Sequence, residues 1–184
     1  MKIRTAIVAA LIGGMGFATL PAMAQTATAP ATRASLSAEE YARRQAQGEL
    51  YEIALSQLIL DKSEDQSVRG FAEQMVTAHT ASLQKLRAAA GTMAALLPTT
   101  LDSTQQNTLI RFENISGMKF NMEYMQLQID GHKQALELNR RYASDGTDPA
   151  LRQYASDSVP MIQDHLNMAQ KVRVAPPITP GPKL

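Results

Sequence analysis

Four long stretches of the chain place apolar residues at spacings of three and four, and none shows the strict alternation of a half-buried strand. The first opens with Leu36-Ser37-Ala38-Glu39-Glu40-Tyr41. Ser37 is the expected N-cap, Glu40 its capping-box partner, and Leu36 a staple onto Tyr41. Tyr41, Gly48, Leu55 and Ile59, joined by Tyr51 and Leu58, form the predicted buried face, with Glu52 on the same stripe. Gly48 costs a helix interior about 1 kcal/mol relative to Ala, which predicts a neighbour packed closely there.

A short connection at 61–65 offers Ser63 or Asp65 as the next cap, and Gly91 is the natural stop. Between them Val68, Ala72, Met75, His79, Leu83, Leu86 and Ala90 make one stripe. After Pro98, the run Leu101-Asp102-Ser103-Thr104-Gln105 starts a short helix over about 103–116. The third long stretch, 118–143, carries a wide apolar arc, but its midline is polar: Asn121, Gln128, His132 and Asn139. The last begins at Asp148-Pro149, a cap followed by a first-turn proline, and buries Leu151, Tyr154, Ser158, Met161, His165, Met168 and Val172. Pro160 is expected to bend this helix rather than end it. The fold class is all-α: an up-down four-helix bundle with an additional short helix before the third main helix.

The ends read differently. Lys2 and Arg4, an apolar run from Ala6 to Leu20, and Ala22-Met23-Ala24 have the order of a cleavable secretory signal, cut between Ala24 and Gln25. Residues 1–24 are therefore expected to be a signal peptide, 25–36 a disordered linker, 37–172 the bundle, and 173–184 a proline-rich disordered tail. No stretch of the mature chain has the length and apolarity of a transmembrane helix, and there is no cysteine. An exported, periplasmic protein is expected. Without Lys2 and Arg4 the 18 basic residues become 16 against 17 acidic ones. So balanced a surface excludes the electrostatic footprint of a nucleic-acid binder.

The candidate chemistry is confined to the helix interiors. The chain has three histidines, His79, His132 and His165, each central to the apolar arc of a different helix. If the connections near residues 63 and 146 share one end of the bundle, Glu52, His79, His132 and His165 stand at about 16, 24, 21 and 28 Å from it, at ~1.5 Å per residue. One polar group from each of four helices is how bundles build internal sites. Neutral imidazoles suit zinc, copper or iron, so these four are the candidate metal ligands, with Asn121 and Gln128 behind them. Di-iron chemistry is excluded by the absence of Glu-x-x-His pairs: Val76, Ile129 and Ile162 stand three residues before the histidines. Met75 and Met161, four residues before His79 and His165, and Met118, Met122 and Met125 on the stripe of His132 could add thioethers for Cu(I), but methionines commonly fill helical cores. No nucleophile-base-acid set is recognisable, and Tyr51, Tyr124 and Tyr154 read as core-edge residues.

The runs Gly48-Glu49-Leu50-Tyr51-Glu52-Ile53 and Phe71 to Thr80, the block Ser116-Gly117 with Phe120-Asn121-Met122-Glu123-Tyr124 and His132, and Asp148-Pro149 with Pro160 and His165 resemble domain of unknown function 4142. The resemblance covers about residues 37–172. It implies a ferritin-like bundle in the bacterial cell envelope, in a family often described as predicted outer membrane proteins, and it implies no established activity. Ala78 and Asn121 stand where the family usually has aspartates, so two anionic groups are missing. Two functional readings result. In the first, the protein is a non-catalytic ferritin-like envelope protein without a cofactor, associating with an envelope partner or with itself, with a role under stress implied by the resemblance alone. Glu52, Asn121, Gln128 and the histidines then form a buried hydrogen-bonded network, and burial lowers the histidine pKa values unless a tight Glu52 partner raises one. In the second, the bundle core holds a transition metal.

Overall fold

The computed structural model describes residues 36–175. The expected signal peptide, nearly all of the expected linker, and the expected tail beyond Ala175 lie outside the described residues. Within 36–175 the chain forms five α-helices: α1 (Ala38–Lys62), α2 (Gln66–Ala90), α3 (Ser103–Glu113), α4 (Gly117–Asp145) and α5 (Pro149–Lys171). A single 3-10 segment, Gly91–Leu96, follows α2, and there is no strand among the described residues.

Local chemistry sets the boundaries. Ser37 caps α1 by accepting from the Glu40 N–H, but the Glu40 carboxylate turns outward to Arg44 instead of closing a capping box. Asp65 caps α2 by accepting from Ser67 and Val68, and Asp102 with Gln105 forms a complete capping box on α3. Asp148 caps α5 and places Pro149 in its first turn. Gly91 ends α2 at φ 56°, a conformation open to glycine at little cost. Helix α5 continues through Pro160.

Helix α1 packs on α2, α2 on α5, and α5 on α4, while α1 and α4 close the ring more sparsely. The two short connections lie at opposite ends. Tyr41, at the start of α1, stacks on Tyr142 at the end of α4 with ring centroids 3.8 Å apart. At the other end the Ser67 hydroxyl donates to the carbonyl of Arg173, beyond α5. The same-end placement expected from the sequence is thus corrected. The segment 91–116 is a long crossover that returns the chain along α1, where the Lys62 ammonium donates to the carbonyls of Phe112, Glu113 and Ile115.

The interior has two apolar regions. Tyr41, Ala42, Ala46, Leu83, Leu86, Tyr142 and Leu151 fill the end near the α4–α5 connection. Leu55, Ile59, Phe71, Met75, Phe120, Tyr124 and Ala169 fill the other. A third, small group joins Leu136, Ile162 and Leu166. Buried polar residues are concentrated between the two ends: Gln45, Glu49, His79, Ser82, Gln128, His132, Asn139, Ser158 and His165.

The buried face of α1 differs from the sequence expectation. It keeps Tyr41, Leu55 and Ile59 of the expected stripe but is completed by Ala42, Gln45, Ala46, Glu49 and Ser56, rotated away from Gly48 and Tyr51. A Cβ on Gly48 would meet nothing within 4 Å, so the expected close packing there is absent. Gly146 is the opposite case, since its Cβ would lie 2.5 Å from the Tyr142 carbonyl oxygen and 2.6 Å from that tyrosine's ring. Gly48→Ala should therefore raise unfolding stability by about 1 kcal/mol, the helix-propensity difference, whereas Gly146→Ala should lower it by ~1–3 kcal/mol through overpacking. Urea melts of the two variants, expected to shift in opposite directions, check this.

Candidate functional site: a buried histidine cluster

Helices α2, α4 and α5 bring the three histidines together. All three are buried, and the ring centroids of His79, His132 and His165 form a triangle with sides of 5.6, 5.3 and 5.3 Å. One nitrogen from each lies within 4.8 Å of the others. Each histidine is on the inward stripe of its helix for the ordinary reason that residues three and four apart share a face.

The nitrogens are oriented from behind. His132 Nδ1 faces the carbonyl oxygen of Gln128 at 2.8 Å, an acceptor only, so Nδ1 carries the proton and the Nε2 of the neutral ring is bare. That Nε2 stands 3.3 Å from His165 Nδ1. His79 Nδ1 meets the Glu49 carboxylate at 2.6 Å, and its Nε2 is buried with no hydrogen-bond partner. A carboxylate or backbone carbonyl on the far nitrogen is the usual support of a metal-binding histidine, because it fixes both the tautomer and the ring direction.

Glu49, which the sequence reading passed over, is the anchor of this layer. It is 2 % exposed, and its carboxylate also accepts from Gln45 at 2.8 Å and lies 2.8 Å from the Ser82 hydroxyl and 3.0 Å from that of Tyr154. Gln45 in turn accepts from Asn139, which accepts from the Tyr41 hydroxyl. A signal for Glu49 was available in the α1–α2 hairpin: Glu49 precedes Ser63 by as many residues as His79 follows Asp65. Both therefore stand roughly 21 Å from the turn, at the same level.

The other expected site residues divide. Glu52 lies one turn along from Glu49, where it accepts from the Gln128 amide at 2.6 Å, and it lines the same cleft as Glu49, His79 and His132 without being one of the three grouped ligands. Gln128 thus supports the site twice, by its carbonyl and by its amide. Asn121 accepts from Ser63 at the α1–α2 connection, at the far end from Asn139. The polar midline of α4 is therefore three separate arrangements rather than one network. Met75 and Met125 pack in the apolar end of the core, while Met118 and Met122 are exposed. Tyr124 bonds to Ser56.

Charge follows from these contacts. Burial pushes the Glu49 carboxyl up, but the hydrogen bond and charge of His79, helped by Ser82 and Gln45, outweigh it and hold the group below its ordinary value. Burial pushes His79 down, and Glu49 outweighs that too, so His79 is raised. The expectation that burial would lower all three histidines is corrected at this one. His132 is lowered by burial, with Glu52 opposing, and His165 is lowered by burial and by His79 and His132, to about 3.

The sign of the pH dependence is mixed as a result. The raised His79 contributes stability below its unfolded pKa that is lost as pH rises through the folded value. The lowered His132 and His165 act oppositely: below about pH 6.5 the unfolded chain takes up protons that these folded rings refuse, and for His165 this costs about 1.4 kcal/mol per pH unit. The lowered Glu49 adds a loss of stability only at more acid pH. Stability should peak near neutrality and fall from about pH 6.5 toward 5. Thermal melts of the metal-free protein should show a shallower decline in His165→Gln, and an unchanged decline would show that His165 is not a buried titrating group.

The chain matches the family model described as "Domain of unknown function (DUF4142)" over residues 23–172. Among curated proteins there is no match. Two solved structures share the fold. A DUF305 fragment from Deinococcus radiodurans has 12% identity and a TM-score of 0.62, covering 76% of this chain and 97% of that one. A DUF305 protein from Streptomyces coelicolor has 15% identity and a TM-score of 0.58, covering 72% and 90%. At such identities the likeness concerns the helical fold alone. The family match takes in the whole folded region with all three histidines and both glutamates, and the chain belongs to the DUF4142 family.

Proposed function

We propose that the protein binds one divalent transition-metal ion through His79, His132 and His165 in the middle of the bundle, and that it does so as a non-catalytic protein of the exported compartment. The observation that carries the reading is the buried, unpartnered Nε2 of His79, on a ring grouped with two other buried imidazoles. A polar atom sealed from water without a partner costs ~1–3 kcal/mol, and a bound ion removes that cost. Two further features support it. Ligands at about 2.0–2.1 Å on a tetrahedral ion lie ~3.4 Å apart, and His132 Nε2 and His165 Nδ1 are 3.3 Å apart already. The supports behind His79 and His132 leave the nitrogens nearest the cluster to act as ligands.

Three imidazoles with a fourth position open are a zinc-type donor set, and copper(II) is its nearest competitor. Thioether coordination of Cu(I) is not favoured, because Met75 and Met125 serve the apolar core. The exported location rests on the order of residues 1–24.

Protein purified without an affinity tag, stripped with chelator and titrated with Co2+ as a spectroscopic substitute for Zn2+, should bind one equivalent with the visible absorption of a tetrahedral site. Zinc at a hundred times its Kd should stabilise the fold by about 2.7 kcal/mol. His132→Gln and His165→Gln should abolish both effects, while Met75→Leu retains them. A wild type that binds no ion, or one whose binding survives His132→Gln, would sink the proposal.

A further inference from the structure

Between α1 and α4 a cleft of about 460 Å³ leads inward to the histidine layer, lined by Glu49, Glu52, His79, Asp130, Gly131 and His132 among others. It opens where the helix ring is most loosely closed. Gly48 on α1 leaves open space beside it, and a Cβ on Gly131 would lie 3.3 Å from Glu52 Oε1. The charged groups around the cleft are mostly matched. Asp130 is paired with Lys133, Arg44 with Glu40, and Glu49 with His79. Glu52 differs: its hydrogen bond is with the neutral amide of Gln128. It is a half-buried carboxylate beside the histidines with no cation of its own.

Resting on the metal-binding reading, we propose that Glu52 is the residue that selects the charge of the ion, making this cleft and its histidines a site for doubly charged rather than singly charged metals. The charge count carries the argument. When three neutral imidazoles hold the ion, the remaining formal charges of the layer are the carboxylates of Glu49 and Glu52. A divalent ion brings the layer to neutrality, whereas Cu+ or Ag+ leaves a net negative charge in a region shielded from water, where uncompensated charge is costly. The attraction of a carboxylate for an ion grows in proportion to the ion's charge. Removing Glu52 therefore weakens a divalent ion about twice as much, in free energy, as a monovalent one. Glu52 acts across the cleft as a selectivity residue, without needing to be a resident ligand, because it lines the same cleft as His79 and His132.

The test compares Zn2+ with Ag+, a redox-stable monovalent ion, by competition titration on wild type, Glu52→Gln and Asp130→Asn. Glu52→Gln keeps the shape of the side chain and its bond to Gln128, and a melt of the metal-free variant confirms the fold. The wild type should prefer Zn2+. Glu52→Gln should lose about tenfold or more in Zn2+ affinity, while its Ag+ affinity falls only by about the square root of that factor, roughly threefold for a tenfold Zn2+ loss, the ratio set by charge. Asp130→Asn, at an exposed and already paired carboxylate, should change neither by more than about twofold. Equal losses for both ions in Glu52→Gln would mean that shape rather than charge is at work, and unchanged Zn2+ affinity would mean that Glu52 has no part; either overturns the inference and leaves the metal site standing. A wild type that binds neither ion overturns the metal-binding reading itself and this inference with it.

Discussion

The contact between Glu49 and His79 is the constraint around which the rest of the interior is arranged. A carboxylate placed in the middle of a helical bundle would cost several kcal/mol unless matched by a cation or by several donors. Here it receives both, since His79, Gln45, Ser82 and Tyr154 surround it from α1, α2 and α5. Each of those partners must then be held in place. Asn139 holds Gln45, and Tyr41 holds Asn139, so the chain of bonds reaches from the centre of the bundle to the stacked tyrosines at its end. The consequence for His79 is that one ring nitrogen is committed and the other is left without a partner, on a ring packed against those of His132 and His165.

The apolar regions on either side make this layer possible. Tyr41, Leu86 and Leu151 at one end and Ile59, Phe71 and Phe120 at the other bury enough surface to supply cohesion that the polar layer cannot. Their side chains also clamp the helices above and below the histidines, which is what holds imidazoles from three separate helices within reach of a common point. The α1–α4 side, joined less closely, leaves the same layer approachable from solvent through the cleft. A site that is both rigidly supported and reachable is what an exchangeable ion needs, in contrast with a polar network that only fixes helix register.

The pattern of the sequence was sufficient for the elements and insufficient for one face. Periods of three and four together with Ser37, Asp65, Asp102 and Asp148 mark four of the helix starts. Every expected residue of the α2 stripe is buried, from Val68 to Ala90 with His79 in its midst, and Phe71 and Ser82 complete that face. Helix α1 was harder because small and polar residues such as Ala42, Gln45, Ala46 and Ser56 carry its buried face, while Tyr51 and Leu58 at its margin are larger and more apolar. Hydrophobicity alone drew the stripe toward them, and Glu49 was lost behind Glu52. In α5 the same effect appears past Pro160, where Ile162 and Ala169 are buried in place of Met161 and Met168.

The sequence by itself determined the helical class, the number of long helices, most of their caps, and the inward placement of three histidines, because these depend on local hydrogen bonding and on the period of a single helix. Only the tertiary structure decided which carboxylate meets which histidine, that the two short connections sit at opposite ends, and that the polar midline of α4 separates into three arrangements. Those outcomes depend on the rotation of each helix about its own axis and on its axial level against its neighbours. One residue of rotation is about 100°, enough to exchange Gly48 for Glu49 in the core, and no single helix carries the information that chooses between them.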